Sequence, residues 1–260
     1  MIQSIDHIVI LVRDLHQAIA DYSALGFTVT PGGTHADGAT HNALVPFEDG
    51  SYLELIAFTR DAPGHRWWRH LAAGGGLVDF ALLPTDPEGD IAAARARGLE
   101  INGPTDGGRT RLDGQEVRWL LGAPANPALP FVCGDVTPRA LRVPGGDARR
   151  HANGAIGVDG ITVAVDEAEA AARAYAALLG RDVPPVAHIA PLGLDIAIFE
   201  LDPDAIALAQ PSAPDSPLHE RLRAHGPGIY SLALLTNQPP TFTTLDLALT
   251  HGARIELHQV

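Results

Sequence analysis

The run Ser4-Ile5-Asp6-His7-Ile8-Val9-Ile10-Leu11-Val12-Arg13-Asp14-Leu15-His16-Gln17 opens a stretch, residues 4–58, whose reading decides the fold. Its first part, residues 5–12, is apolar and β-branched enough for a strand, and Asp14-Leu15-His16-Gln17 is a capping box that starts a helix. Leu15, Ala18, Ile19, Tyr22 and Leu25 recur at helical spacing and Gly26 supplies a left-handed stop, so one apolar stripe faces a sheet. Residues 27–31 read as a second strand. Residues 40–58 read as a hairpin, because Asp49-Gly50 between two alternating runs suits a two-residue type I′ turn.

That turn predicts a register in which Glu48 pairs with Ser51, Val45 faces Glu54 and His41 faces Phe58. His41, Val45, Tyr52 and Glu54 then share one face. Asn42, Leu44, Leu53, Leu55 and Ala57 form the opposite, mostly apolar face, which the helix covers. Glu54 is thereby expected to point into a concave surface, together with His7, Val9 and Leu11 of the first strand. A carboxylate on a central strand needs a metal, an arginine or a proton as partner, which marks Glu54 as a site residue.

The same pattern recurs along the chain. Val78-Asp79-Phe80-Ala81-Leu82-Leu83 is followed by Asp86-Pro87 as a helix start and Gly98 as its stop. A third copy begins at Asp159-Gly160-Ile161-Thr162-Val163-Ala164-Val165 and closes at Gly180; a fourth begins near Ile229 and closes its helix at Gly252. The stop glycines lie 72, 82 and 72 residues apart, the spacing of a duplicated pair of modules. The fold class is α+β, with tandem βαβββ modules pairing into cupped mixed sheets. Modules at 4–58 and 76–136 make a domain over 1–137, residues 138–157 form a linker, and 158–260 form a second half. That half is truncated: after Gly252 only eight residues remain, enough for one strand, leaving an open edge through which a homodimer is expected to form.

The 260 residues carry 18 Lys plus Arg against 31 Asp plus Glu, a net charge of -13, which argues against nucleic acid or an anionic membrane as partner. Cys133 is alone, so neither an intrachain disulfide nor a thiol-rich zinc site forms. No basic leader or long apolar run opens the chain, and the expected compartment is the cytoplasm. Gly74-Gly75-Gly76 lacks the lysine and helix context of a phosphate loop.

Asp6-His7-Ile8-Val9-Ile10, Leu25-Gly26-Phe27, Pro31-Gly32-Gly33-Thr34-His35, Thr40-His41-Asn42-Ala43-Leu44 and Asp49-Gly50-Ser51-Tyr52-Leu53-Glu54-Leu55 together resemble the glyoxalase-like members of the vicinal oxygen chelate superfamily. The resemblance is dense in the first module, weaker through Arg109-Thr110-Arg111-Leu112-Asp113-Gly114 in the second, and confined to overall pattern in the last hundred residues. It implies a divalent metal (Fe, Mn, Ni or Zn) at the bottom of the cup, with ligands on the first and last strands of paired modules. Carried over, these are His7, Glu54 and Asp79; the last strand of the second module, Phe131-Val132-Cys133, offers no carboxylate.

Each candidate has a plainer role. His7 serves equally as a polar cap at a strand start, and Asp79 as a turn group. His35 and His41 lie in or beside a glycine-rich rim, where substrate contact and solvation compete. Arg109 and Arg111 suit a substrate carboxylate, or water. Two readings stay open. One is a metal-dependent lyase, isomerase or dioxygenase in which Glu54 or His41 moves a proton. The other is a metal-free binding protein whose cup, lined by Val9, Val45, Tyr52 and Trp119, holds an apolar small molecule. A regulatory role through the open edge ranks third.

Overall fold

The protein is described by a computed structural model over residues 2–239 and 242–260. Ile2–Leu11 (β1) alternates as its sequence requires: Ile8 and Ile10 join the core under the helices, while Val9 and Leu11 face a separate cluster with Trp119 and Phe131. Leu15–Ala24 (α1) follows, its N-terminus capped by the Asp14 carboxylate, which accepts from the backbone N–H groups of His16 and Gln17. Thr30–His35 (β2), Thr40–Pro46 (β3) and Tyr52–Phe58 (β4) complete the first module. The second repeats it as Gly76–Pro84 (β5), Pro87–Ala96 (α2), Ile101–Thr110 (β6), Glu116–Pro124 (β7) and Phe131–Asp135 (β8). These eight strands close into a barrel in the order β1-β4-β3-β2-β6-β7-β8-β5, with β1 parallel to β4 and β5 parallel to β8.

Two expectations within the first module need correction, and both move residues relative to the site. The hairpin loop has three residues, not two: Phe47 N–H donates to Ser51 O at 2.8 Å, and Gly50 takes φ +90° at its end. The register therefore slips by one, so that Leu44 rather than Val45 opposes Glu54, and Asn42 opposes Ile56. Every side chain of β3 changes face. Asn42 and Leu44 turn to the barrel interior, and His41 lies with Ala43 and Val45 on the side packed against the helices. The second strand begins at Thr30 and runs on to His35, with a bulge between Pro31 and Gly33. A side chain at 33 would collide with the Thr110 carbonyl and one at 32 with the Asn42 amide, so the glycine pair permits close strand contact.

The segment after β8 is more than a linker. Arg139–Arg142 (α3) is one helical turn whose last side chain is buried in the barrel. The second half then places Ala155–Ala164 (β9), Ala168–Leu179 (α4), Ala187–Ile189 (β10), Leu194–Glu200 (β11), Ala205–Pro211 (β12), Leu218–His225 (α5), Gly228–Thr236 (β13), Phe242–Thr244 (β14) and Ile255–Gln259 (β15) in order. Its seven strands form one open sheet, β10-β11-β12-β9-β13-β15-β14. The fourth module departs from the repeat: residues 247–252 are turns, so Gly252 (φ +84°) closes no helix, and a three-residue β14 accompanies β15. Residues 240 and 241, inside that module, lie outside the described residues. The halves meet at the first hairpin, where Asp49 Oδ2 accepts from Val158 N–H at 2.9 Å and Ile156 O accepts from Glu48 N–H at 3.0 Å. No helix among the described residues is long and apolar enough to cross a membrane.

Candidate functional site

The barrel encloses a cavity of about 240 Å3, the size of a small ligand, with His7, His35, Glu54 and Arg109 among its polar lining and Trp67 and Trp119 among its apolar walls. Glu54, 5% exposed, sits at the floor. Asn42 Nδ2 donates to its Oε1 at 2.5 Å, His35 Nε2 lies 3.4 Å from the same oxygen, and His7 Nε2 lies 3.5 Å from Oε2. Burial alone would push this carboxyl up; His35, His7 and Asn42 outweigh it and bring the pKa down to about 2. Glu54 is thus a fixed acceptor, too weak a base to take a proton near neutral pH.

Both imidazoles are held from behind. His7 Nδ1 is 2.7 Å from Asp6 Oδ2, and its ring stacks on Tyr52 at 4.6 Å between centroids. His35 Nδ1 is 2.8 Å from Thr40 Oγ1, and its ring meets the edge of Trp119 at 6.0 Å. Asp6 is fully buried. Burial raises its carboxyl, yet Arg142 and His7 more than offset this and hold it well below the usual carboxylate range. An ionised Asp6 places a hydrogen on His7 Nδ1. His7 Nε2 then meets Glu54 favourably when it too carries a hydrogen, or when a donor from a ligand stands between them.

Arg142, 1% exposed, comes from α3 and fills the space behind this dyad. It donates to both Asp6 oxygens at 2.7 and 3.0 Å, to both Asp135 oxygens at 2.5 and 3.0 Å, and to Tyr52 Oη at 2.8 Å. Sequence reading assigned residue 142 to a connection and missed it, as it missed Asn42 and Thr40. For Asn42 and Thr40 the signal was present: both share the strand face of Leu44 once the turn length is right. For Arg142 nothing local distinguishes a buried arginine from a solvated one.

The remaining expected residues divide. Tyr52, Trp119, His35 and Arg109 all line the cavity. Arg111 does not: it donates to the Leu141 carbonyl at 2.8 Å and pairs with Asp113. His41 faces away, as the register requires. Asp79 is buried but already engaged, 2.7 Å from Arg66 Nη2 and accepting from Trp67 Nε1 at 2.8 Å. Burial pushes its carboxyl up, against the pull of Arg66.

A divalent metal needs converging donors. Among the described residues no group of three His, Cys, Asp or Glu side chains is placed to hold one. Of the expected set, His7 and Glu54 come together and Asp79 is turned to Arg66 and Trp67. The set His7, Glu54, Asp79 does not fit a metal as arranged.

The fold and this cavity define a glyoxalase-like protein. A family described as the glyoxalase-like domain matches residues 5–179, more than half of the chain, and the protein belongs to that family. Solved structures share the architecture. A hypothetical protein from Staphylococcus aureus is similar at 13% identity and a TM-score of 0.75, over 98% of this chain and 99% of that one. A mutant of 4-hydroxymandelate synthase from Streptomyces coelicolor is similar at 19% identity and a TM-score of 0.66, over 92% of this chain and 72% of that one. No curated protein matches the sequence.

Proposed function

We propose that the barrel binds a small organic molecule and moves a proton on it, an isomerase- or lyase-type activity of the glyoxalase-like kind. The observation that carries this is the convergence of His7 Nε2 and His35 Nε2 on the single buried carboxylate of Glu54, inside a cavity of ligand size. His35, with its resting hydrogen on Nδ1 donated to Thr40 Oγ1, takes the proton at Nε2 from a carbon next to a carbonyl, and Glu54, ionised and 3.4 Å away, stabilises the imidazolium that forms. His7, braced by Asp6, donates a hydrogen bond to the carbonyl oxygen as it gains charge. Return of the proton to a neighbouring atom completes an isomerisation; departure of a group from the adjacent carbon completes a lyase step.

A second reading is a binding protein without catalysis. It is favoured by the aromatic lining of Trp67, Trp119, Phe131 and Tyr52 and by the occupied state of Asp79.

The test is hydrogen exchange in deuterium oxide, followed by proton NMR on a panel of small 2-oxo acids. Native protein is expected to accelerate loss of the signal next to the carbonyl, and His35→Asn and Glu54→Gln to abolish the acceleration while keeping the fold. Binding seen by tryptophan fluorescence without exchange supports the second reading. Neither binding nor exchange across the panel overturns both.

A further inference from the structure

Arg109 is 4% exposed, yet its guanidinium makes only one hydrogen bond among the described residues, from Nη2 to the Arg142 carbonyl at 2.7 Å. Its Nε is buried with no hydrogen-bond partner among the described residues. No carboxylate among the described residues lies within ion-pair distance of it, in contrast to buried Arg142, which holds Asp6 and Asp135. The nearby acids are taken: Asp6 and Asp135 by Arg142 and Arg139, Asp79 by Arg66, and Glu54 by Asn42 and the two histidines. A buried cation without a counter-charge is costly, and the planar guanidinium is the group that pairs best with a carboxylate.

We infer that the cavity takes a monocarboxylate with an aromatic or apolar body, its carboxylate seated on Arg109. This rests on the reading of the barrel as a ligand site given above. The register supplies the orientation. Arg109 on β6 directly opposes His35 on β2, so the two side chains share one face of the barrel wall as nearest neighbours across strands. A carboxylate on Arg109 brings the next carbon of the ligand beside His35, whose Nε2 faces Glu54. Gly107, one residue before Gly108 on the same strand, keeps the wall open there: a side chain at 107 would collide with the Trp119 indole. The ligand's body then lies against Trp119, Leu121 and Phe131. A dianion is disfavoured, because Glu54, Asp37 and Asp106 line the same cavity.

Two of the protein's three tryptophans, Trp67 and Trp119, line the cavity and report occupancy by fluorescence. The probes are phenylacetate and its uncharged methyl ester, titrated into the full chain. Native protein is expected to bind the acid about tenfold or more tighter than the ester, the size of a charge-assisted hydrogen bond to a buried partner. Arg109→Met is expected to bring the acid down to the ester's affinity without weakening the ester, and Arg109→Gln serves where the methionine variant fails to fold. Equal affinity for acid and ester, or an acid preference that survives in the variants, overturns the inference and leaves the ligand-binding reading standing. Binding of neither probe overturns the inference as well, with the exchange experiment then deciding the broader reading by itself.

Discussion

Arg142 Nη1 stands 2.7 Å from Asp6 Oδ2, across 136 residues of sequence, and both side chains are almost wholly removed from water. The pair braces the residue next in sequence, His7, whose Nδ1 shares the same Asp6 oxygen. Removing Arg142 leaves Asp6 to Arg139, whose Nη1 is 2.6 Å from Asp6 Oδ1, and removing Asp6 leaves Arg142 to Asp135, so either change unbalances a buried charge network. Arg142→Met is expected to lower unfolding free energy by about 3–5 kcal/mol. Arg142→Lys should also lose much, since an ammonium cannot bridge Asp6 and Asp135 as a planar fork does. Urea denaturation measures both, and Asp6→Asn combined with Arg142→Met should recover part of the loss.

The register of β3 makes a paired prediction. Asn42 donates to Glu54 from inside the barrel, and His41 points the other way. Asn42→Ala should cost about 1–3 kcal/mol because it strips a donor from a buried carboxylate. His41→Ala should stay within about 0.5 kcal/mol and leave ligand binding unchanged. Equal effects from the two would restore the two-residue turn.

Acid stability follows from Glu54. Its folded-state pKa of about 2 lies below the ordinary 4.5, so the stability it contributes is complete above pH 4.5 and is lost as the pH falls towards 2. Asp6, also depressed, adds to the same decline. Denaturation midpoints measured from neutral pH downward should therefore drop less steeply in Glu54→Gln than in the native protein.

Cys133 lines the cavity but is 2% exposed, and burial pushes its thiol up. It should resist iodoacetamide in the folded protein at neutral pH and react at once in denaturant. Mass spectrometry of the treated protein reads the outcome directly.

Divalent ions provide the last check. A metal held at a hundred times its dissociation constant would stabilise the fold by about 2.7 kcal/mol. Because Asp79 is paired with Arg66, addition of nickel, manganese or zinc, and treatment with a chelator, should leave the melting temperature unchanged. A rise that His7→Ala removes would show that the donors rearrange to admit an ion.

Much of this architecture was legible in the chain. The strand and cap around Asp14, the stop at Gly26 and the inward direction of His7, Val9 and Leu11 all follow from local rules, because period and capping are properties of a few neighbouring residues. Glu54 was legible for a related reason: a carboxylate between two leucines on a strand has to be answered by something. What failed was arithmetic over longer distances. Asp49-Gly50 suits a two-residue turn, yet Asp49 is tied to Val158 in the other half, and a three-residue loop with Gly50 at its left-handed end results. A one-residue error there exchanged His41 and Asn42. The glycines before His35 suggest a loop in or beside the rim, because glycines usually mark loops; here they mark strands packed too closely for side chains. Arg142 was beyond reach, since only the folded chain brings it to Asp6.

The turn that carries Arg142 has one further implication, for how such a protein can be divided. A chain cut after residue 137 would keep all eight barrel strands and still lose both guanidiniums, of Arg139 and Arg142, that answer Asp6 and Asp135, while Arg109 would be left without its carbonyl acceptor. The smallest autonomous piece of this protein is therefore set by an electrostatic debt and not by where its sheet ends.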